Sequence, residues 1–448
     1  MKLQTRKMLD KSFSGMGFIS IFLLSASLVM VLAPIFARGI GAFVFKETVE
    51  FRRFNYEKFG RGDKQDLEEE IRLVEEKRAY VYQLMDQLEQ QIENEEIPDA
   101  YEYEPKLDEI KFLVRELLGP RPGVERPVML RDQFGKTRWD KALEQLHHIV
   151  TVEKWDYSDK DSMGKKVFAP RKEEFAGTAL EPMFSYLEDN VEEMMRPRWT
   201  FYWRFLFDDS FDAHLFGGIW AEVLGTFYLV LGTMLFAIPM GVIAAVYLTE
   251  FARAGKIVSF LRICISTLAG VPSIVFGLFG LAFFINTMKV SSSKSVLAGS
   301  LTLALLVLPT IIRASEEAIM AVPKTYKEAA LSLGASKLKT VLTVILPAAL
   351  PGILTGVVIS MGRAAGETAP IIFTAAVSVG KPLNLFQTLN QPTPALPWNI
   401  YNLVTEHEAV DQIRHVQFGM VFTLVLLVLL LNLAAIIMRA KIAKKLRG

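Results

Sequence analysis

The stretch Glu328–Pro347 reads EAALSLGASKLKTVLTVILP and decides how the whole chain is interpreted. Within it, Lys327–Leu333 is predicted to form a short amphipathic helix, and Gly334 permits a sharp turn at the C-terminus of that helix. Pro323 precedes the helix, and apolar runs flank the loop on both sides. A short helix held between two membrane spans makes a rigid projection, so the pattern predicts a structure that can dock into a groove of a soluble partner.

Six segments are apolar enough to cross a membrane, which takes roughly 20 residues as a helix. They are Gly17–Phe36, Ile219–Leu248, Val258–Ile285, Val296–Ile312, Val341–Met361 and Phe418–Met438. The first is predicted to be an uncleaved helix, because its apolar part exceeds the 7–15 residues or so of a signal peptide. A further apolar stretch, Pro370–Val379, is too short to span and either extends the fifth helix or re-enters the protein.

Basic residues set the predicted orientation of these spans. They cluster at residues 2–11, 253–262, 313–339 and 439–447, and six spans place all four clusters on one side. Lysine and arginine favour the cytoplasmic side of short loops. The sequence therefore predicts a multi-pass membrane protein with both termini in the cytoplasm and residues 37–198 outside it.

The charged segment 37–198 is predicted to be a mainly helical soluble insertion. Apolar residues from Leu67 to Ile92 follow 4-3 spacing, interrupted by Arg78, with glutamate and lysine on the other faces. This pattern is typical of an amphipathic helix, and Leu107–Leu118 is a candidate to pair with it. A solvated helical hairpin without a binding site is the favoured interpretation.

The spacing within the cytoplasmic loop resembles a family motif. Glu-Ala-Ala is followed by three residues, glycine, nine residues, and then a β-branched residue, one residue and Leu-Pro. The matching positions are Glu328, Ala329, Ala330, Gly334, Leu346 and Pro347, and Val344 replaces the usual isoleucine. This is similar to the motif of binding-protein-dependent ABC importer permeases. The resemblance implies an all-α membrane protein with the six-helix type I ABC importer transmembrane fold, in which loop 313–347 couples to an ATPase subunit.

Further motifs resemble the phosphate-permease branch of that family, PstA. Gly362–Pro370 reads GRAAGETAP, Pro272–Phe279 reads PSIVFGLF, and Thr249–Phe251 follows the second span. The resemblance implies half of a phosphate path in the bacterial inner membrane. It implies as partners a PstC-like second permease, an ATPase dimer and a periplasmic phosphate-binding protein. The domains are then 1–36, the insertion 37–198, which compact relatives lack, and a permease core 199–448.

Charged residues within the apolar helices are candidates for the path or its gate. An ionisable group at membrane depth costs at least about 2.5 kcal/mol, so it is expected to pair or to face a polar cavity. Arg313 and Glu316 share one helical face by their spacing, and so do Arg363 and Glu367. A guanidinium suits a tetrahedral oxyanion through paired donors. Arg313 is alternatively a positive anchor at the cytoplasmic end of its span.

Other functions find little support in the sequence. A net charge of +1 gives no case for nucleic acid, and the five histidines lack metal-ligand spacing. No Gly-Lys-Ser/Thr loop is present, so ATP hydrolysis is expected on a separate subunit, and no cofactor is expected. Two alternatives stay open. One is a permease of the same fold for sulfate or molybdate. The other is a secondary transporter or membrane sensor, although a secondary transporter would be expected to show internal repeats.

Overall fold

The computed structural model describes residues 3–98, 100–121, 123–124, 127–156, 165–253 and 255–447. Lys2, counted above among the basic N-terminal residues, lies outside this range. Contacts between residues divide the chain into two compact units. Met1–Ala42 and Trp203–Gly448 form the first, and Phe43–Tyr202 form the second.

The first unit is built almost entirely from helices, which confirms the predicted all-α membrane fold. Its helices are α1 Leu3–Ile40, α7 Trp220–Val246, α8 Lys256–Leu268, α9 Ser273–Gly280, α10 Val296–Met320, α11 Lys324–Ser332, α12 Lys337–Thr340, α13 Leu346–Gly366, α14 Ala369–Thr374, α15 Leu396–Thr405 and α16 Arg414–Arg447. Short π-helical segments continue α7 (Tyr247–Phe251), α9 (Leu281–Thr287) and α12 (Val341–Ile345). A two-residue ladder joins β5, Ser210–Phe211, to β6, Phe216–Gly217.

Five helices of the described chain are long and apolar enough to cross a membrane, and a sixth candidate is bent. The five are Ser12–Ile40, Trp220–Phe251, Val296–Met320, Lys337–Gly366 and Arg414–Ile442. The predicted third span, Val258–Ile285, is not one straight helix, because α8 and the α9 segment meet at 102°. The bend falls at Gly270–Pro272, where proline lacks the N–H that would continue the helical hydrogen bonds.

Helix α10 lies at the centre of the first unit, with 67% of its most apolar stretch buried. It packs against α13 through two glycines one turn apart. A Cβ on Gly352 would lie 2.6 Å from the Cβ of Ala318, and one on Gly356 would collide with Ala314. Small residues at this spacing let helix backbones approach closely, which is the usual basis of helix association in membranes.

The apolar stretch Pro370–Val379 re-enters the protein instead of extending α13. The backbone becomes extended at Glu367, and α14 starts anew at Ala369. Helix α14 then packs on α9, where a Cβ on Gly277 would lie 2.9 Å from Phe373 and from Pro370. The short stretch is therefore buried by protein on its α9 side, which suits a segment too short to span.

The second unit has its own core and is mainly helical, as predicted. Its helices are α2 Val49–Phe59, α3 Lys64–Glu93, α4 Ala100–Leu118, α5 Trp139–Val150 and α6 Glu181–Met195. Strands β1 Val44–Glu47 and β4 Arg198–Phe201 pair antiparallel, as do β2 Thr151–Asp156 and β3 Lys165–Pro170. The expected pairing of α3 with α4 is confirmed, because Val81 and Leu88 share one buried cluster with Ile110 and Val114.

Arg78 interrupts the apolar seam of α3 and is buried in this core, only 6% exposed. Its Nη1 donates to Glu50 Oε1 at 2.7 Å and to the Leu118 carbonyl at 2.6 Å, and its Nη2 donates to the Met194 carbonyl at 2.8 Å. The guanidinium thus ties α2, α4 and α6 to α3. A single arginine in the seam is accommodated because a carboxylate and two carbonyls surround it.

Candidate functional site

The loop 313–347 contains the short helix that its sequence predicts. Helix α11 starts at Lys324, directly after Pro323, so it is three residues longer at its start than the predicted helix. Gly334 follows with φ +83°, and its N–H donates to the Leu331 carbonyl at 2.9 Å. The left-handed turn ends the helix and directs the chain toward α12. Gly334 thus fills the conformational role that its position predicts.

None of the residues of α11 is buried in the chain. Its exposed surface includes apolar side chains, since Tyr326 is 54% exposed, Leu331 42% and the following Leu333 89%. Glu328 and Ala329 of the motif are also exposed. A helix whose side chains are mostly exposed and that carries apolar residues is suited to burial against another protein.

The second half of the motif anchors the loop to the helical body. Leu346 packs partly buried against a cluster that includes Val341, Ile345 and Ile319. Pro347 follows the π-helical segment Val341–Ile345 inside the continuous helix Lys337–Gly366. The spacing of the motif therefore joins an exposed helix to a buried base at a fixed distance along the chain.

Two basic residues of the loop fasten it to the end of α7. Lys327 forms an ion pair with Glu250, whose side chain is only 10% exposed. The Lys337 ammonium lies 5.1 Å from the centroid of the Phe251 ring, within cation–π range. Thr249–Phe251, which the sequence marked only by its resemblance to a family motif, is thus the segment that contacts loop 313–347.

Arg363 and Glu367 form the pair that their spacing predicts. Arg363 Nε donates to Glu367 Oε1 at 3.3 Å, at the last turn of α13. The side chains are 40% and 18% exposed, so the guanidinium faces outward from the helical body of this chain.

The predicted pair of Arg313 with Glu316 is not formed in this structure. Glu316 Oε1 instead lies 3.1 Å from Arg262 Nη2 of α8. Arg313 donates from Nη2 to the hydroxyl of Ser266, also on α8. Helical spacing placed both residues on adjacent positions of α10, but α8 supplies a closer partner for each of them. The two residues therefore bind α10 to α8 and do not pair with each other.

Arg313 and Arg363 lie at different depths of the helical body. Helices α10 and α13 are antiparallel, with Ala314 against Gly356. Arg363 lies seven residues after Gly356 on α13, which corresponds to about 10 Å at 1.5 Å per residue. Arg363 and Arg313 are thus separated by roughly that distance along the helix axes. A solute crossing this unit would meet them in succession.

Sequence reasoning missed a buried polar cluster at the start of α7. Glu222 is fully buried, and its Oε1 lies 2.9 Å from His214 Nε2 and 3.0 Å from Asn399 Nδ2. Asn399 also donates to the Ser378 carbonyl at 3.1 Å. The cluster fastens the β5–β6 hairpin and the segment before α15 to α7. Asn399 lies 177 positions after Glu222, so this contact leaves no local pattern to detect.

Three carboxylates, Asp208, Asp209 and Glu222, lie near one another at this cluster. Burial raises the pKa of Asp209 above its ordinary value, and the neighbouring carboxylates of Asp208 and Glu222 raise it further. Among the residues that the structure describes, no three histidine, cysteine or acidic side chains are placed to hold a metal ion.

Comparison with known proteins defines the class of protein. The exposed helix between two apolar spans is the feature of a permease that works with soluble partners. Residues 237–448 match the family model described as "binding-protein-dependent transport system inner membrane component". Relatives that are 34–37% identical match this chain over 71–80% of their own length. The chain therefore belongs to this family of multi-pass membrane proteins.

The relatives identify the branch that this chain resembles. A probable ABC transporter permease protein, YqgI, of Bacillus subtilis is 37% identical over 243 residues, covering 51% of this chain and 80% of the relative. The phosphate transport system permease protein PstA 1 of Mycobacterium tuberculosis is 34% identical, covering 50% and 71%. The predicted resemblance to PstA is thus confirmed. The MetNI methionine ABC transporter in an inward-facing conformation has a TM-score of 0.38 at 20% identity, covering 50% of this chain and 94% of its own.

Proposed function

We propose that this chain is the transmembrane permease subunit of an ATP-driven phosphate importer in the bacterial inner membrane. The observation that carries the proposal is α11, an exposed helix that holds the first part of the motif and is joined through Gly334 to a buried base at Leu346 and Pro347. Relatives named as phosphate transport permeases support phosphate as the solute. The chain forms half of the path, and a PstC-like permease forms the other half.

The partners follow from the same proposal. ATP is hydrolysed on a separate ATPase dimer, which receives α11, and a periplasmic phosphate-binding protein delivers the solute. Both termini lie in the cytoplasm, and the bent pair α8–α9 counts as one span. The insertion then lies outside the cytoplasm. The positive clusters at residues 253–262 and 313–339 support this orientation.

Uptake of labelled phosphate tests the proposal directly. The chain is expressed with its partner permease, ATPase and binding protein in a strain that lacks its own phosphate importer. We expect ATP-dependent phosphate uptake that excess unlabelled sulfate or molybdate does not suppress. Suppression by sulfate or molybdate, with uptake of that anion, would assign the permease to another oxyanion. Uptake that persists without ATPase subunits would favour a secondary transporter.

We further propose that Arg363 and Glu367 form a gate in the path, and that Arg313 and Glu316 are the next charged residues along it. Arg363 faces outward from this chain, where a partner permease would complete the path. Its fork of donors can bind the oxyanion while Glu367 competes for the same nitrogens. The exchange of partners lets the anion bind and leave without a trap.

Substitution of Arg363 tests this assignment. Arg363→Gln and Arg363→Ala should abolish uptake per assembled complex, and Arg363→Lys should retain part of it because lysine keeps the charge but loses the bidentate fork. Arg414→Gln is a matched control, since Arg414 also pairs with a nearby carboxylate, Asp411 just before α16, but is 62% exposed. Wild-type uptake per complex in Arg363→Gln would transfer the gate to Arg313 and Glu316.

A further inference from the structure

The end of α7 lies where three other elements of the first unit meet. After Val246 the helix continues as a π-helical turn, Tyr247–Phe251, and the carbonyl of Tyr247 accepts from the Ala252 N–H at 2.8 Å. Turns of this kind occur at helix C-termini, where the chain leaves the helix. The turn is not a surface feature alone, because Leu248 is buried with 6% exposure.

Basic side chains from three different helices converge on this turn. Lys327 of α11 pairs with Glu250, and Lys337 of α12 lies over the ring of Phe251. Arg262 of α8 donates from Nη2 to the Leu248 carbonyl at 3.4 Å. The loop that bears the coupling motif and the first half of the bent pair are thus attached to the same five residues.

Arg262 extends these contacts to α10. The nitrogen that bonds the Leu248 carbonyl, Nη2, also lies 3.1 Å from Glu316 Oε1. One guanidinium nitrogen therefore joins the turn to a carboxylate that the body buries, with Glu316 8% exposed. Because the same nitrogen contacts both groups, a displacement of the turn changes the surroundings of the contact between Arg262 and Glu316.

We propose that the π-helical turn Tyr247–Phe251 is the relay that carries movement of α11 to the Arg262–Glu316 ion pair, with Glu250 and Arg262 as positioning residues. The inference rests on the proposed function, in which α11 receives movement from the ATPase. The route runs from Lys327 through Glu250 to the turn, and from the Leu248 carbonyl through Arg262 to α10. Glu250 touches neither solute nor ATPase in this scheme, and its effect is exerted through α11.

A chain of contacts is not yet evidence of energetic coupling, which a double-mutant cycle measures. The reconstituted transporter, with both permeases, the ATPase and the binding protein, carries Glu250→Gln, Lys327→Met, or both. Phosphate taken up and ATP hydrolysed are measured on the same vesicles. We expect phosphate per ATP to fall by about five-fold or more in each single variant. The double variant should lose no more than either single variant, because both remove one contact.

Controls distinguish the relay from a contact that only holds the complex together, and from a failure of the proposed function. Glu317→Gln removes an exposed charge beside Glu316 and should leave phosphate per ATP unchanged. Reversal of the pair, Glu250→Lys with Lys327→Glu, should restore part of the ratio. An unchanged ratio in Glu250→Gln, or additive losses in the double variant, would overturn the relay. Loss of the ATPase subunit from the variants would also overturn it, since the pair would then only hold the complex together. A wild-type transporter that takes up no phosphate would instead overturn the proposed function.

Discussion

Replacement of Arg78 by methionine tests how the core of the second unit is held together. Methionine fills a similar volume but donates no hydrogen bond. The change leaves Glu50, which is 2% exposed, without its partner at 2.7 Å, and leaves the carbonyls of Leu118 and Met194 without the guanidinium donors. Removal of one partner from a buried ion pair costs about 3–5 kcal/mol of unfolding free energy, because the remaining charge stays buried.

The remaining contacts of Glu50 place the expected loss near the lower limit. Its Oε2 keeps Arg53 Nη1 at 3.4 Å and the Gly135 N–H at 3.3 Å, both long for hydrogen bonds to a carboxylate. We therefore expect Arg78→Met to lower the unfolding free energy of this unit by about 3 kcal/mol. Glu50→Leu in the same chain should recover most of the loss, because no charge is then buried alone.

Pulse proteolysis of the whole chain in detergent and urea measures this stability, with cleavage followed in the second unit. Lys64→Met is the surface control, because Lys64 and Glu68 are each 65% exposed and such pairs contribute at most about 1 kcal/mol. A loss in Arg78→Met no greater than in this control would refute the role of the buried pair. A double variant, Arg78→Met with Glu50→Leu, as unstable as Arg78→Met alone would refute the argument from the unpaired charge.

Three further predictions address coupling, topology and pH. Gly334→Val should reduce ATP-driven uptake while insertion stays normal, because a β-branched residue resists the positive φ; Gly334→Asn, which tolerates it, is the control, and normal uptake in the valine variant would contradict the coupling role. A reporter that is active only in the cytoplasm should be silent when fused after Asn94 and active at the C-terminus; activity at Asn94 would overturn the six-span orientation. The raised pKa of Asp209 means that the folded state holds this proton more tightly, so its contribution to stability declines as pH rises from 3.8 through the raised value. Asp209→Asn should therefore raise the melting temperature at pH 7 and leave it unchanged once both states are protonated; an equal change under both conditions would contradict the electrostatic cause.

Features determined by neighbouring residues were predictable from the sequence. The 4-3 pattern of α3, the turn at Gly334 and the Arg363–Glu367 pair each depend on residues within one or two helical turns. The start of α11 was missed by three residues, although Pro323 marks it. The bend before α9 also had a local signal in Gly270 and Pro272, which a hydrophobicity pattern over the whole segment conceals.

Features determined by distant partners were not predictable. Spacing on α10 allowed Arg313 to meet Glu316, but Ser266 and Arg262 of α8 lie closer, and their choice depends on how two helices pack. Glu222 likewise depends on Asn399, which lies 177 positions later in the chain. A sequence pattern can show that a charged residue needs a partner, and only the fold selects which one.

The architecture explains how a permease body accommodates a large insertion. Within the second unit, the first and last residues are paired by β1 and β4, with Val44 opposite Phe201 and Glu47 opposite Arg198. Paired strands lie about 4.8 Å apart, so the insertion begins and ends at one place. Within the first unit, Ala42 and Phe205 both approach Gly419 of α16, where an added Cβ would lie 2.6 Å from Ala42 and 2.9 Å from the Phe205 ring. Each unit therefore closes its own chain ends without help from the other. An insertion that closes in this way imposes no stretch on the helices that it interrupts.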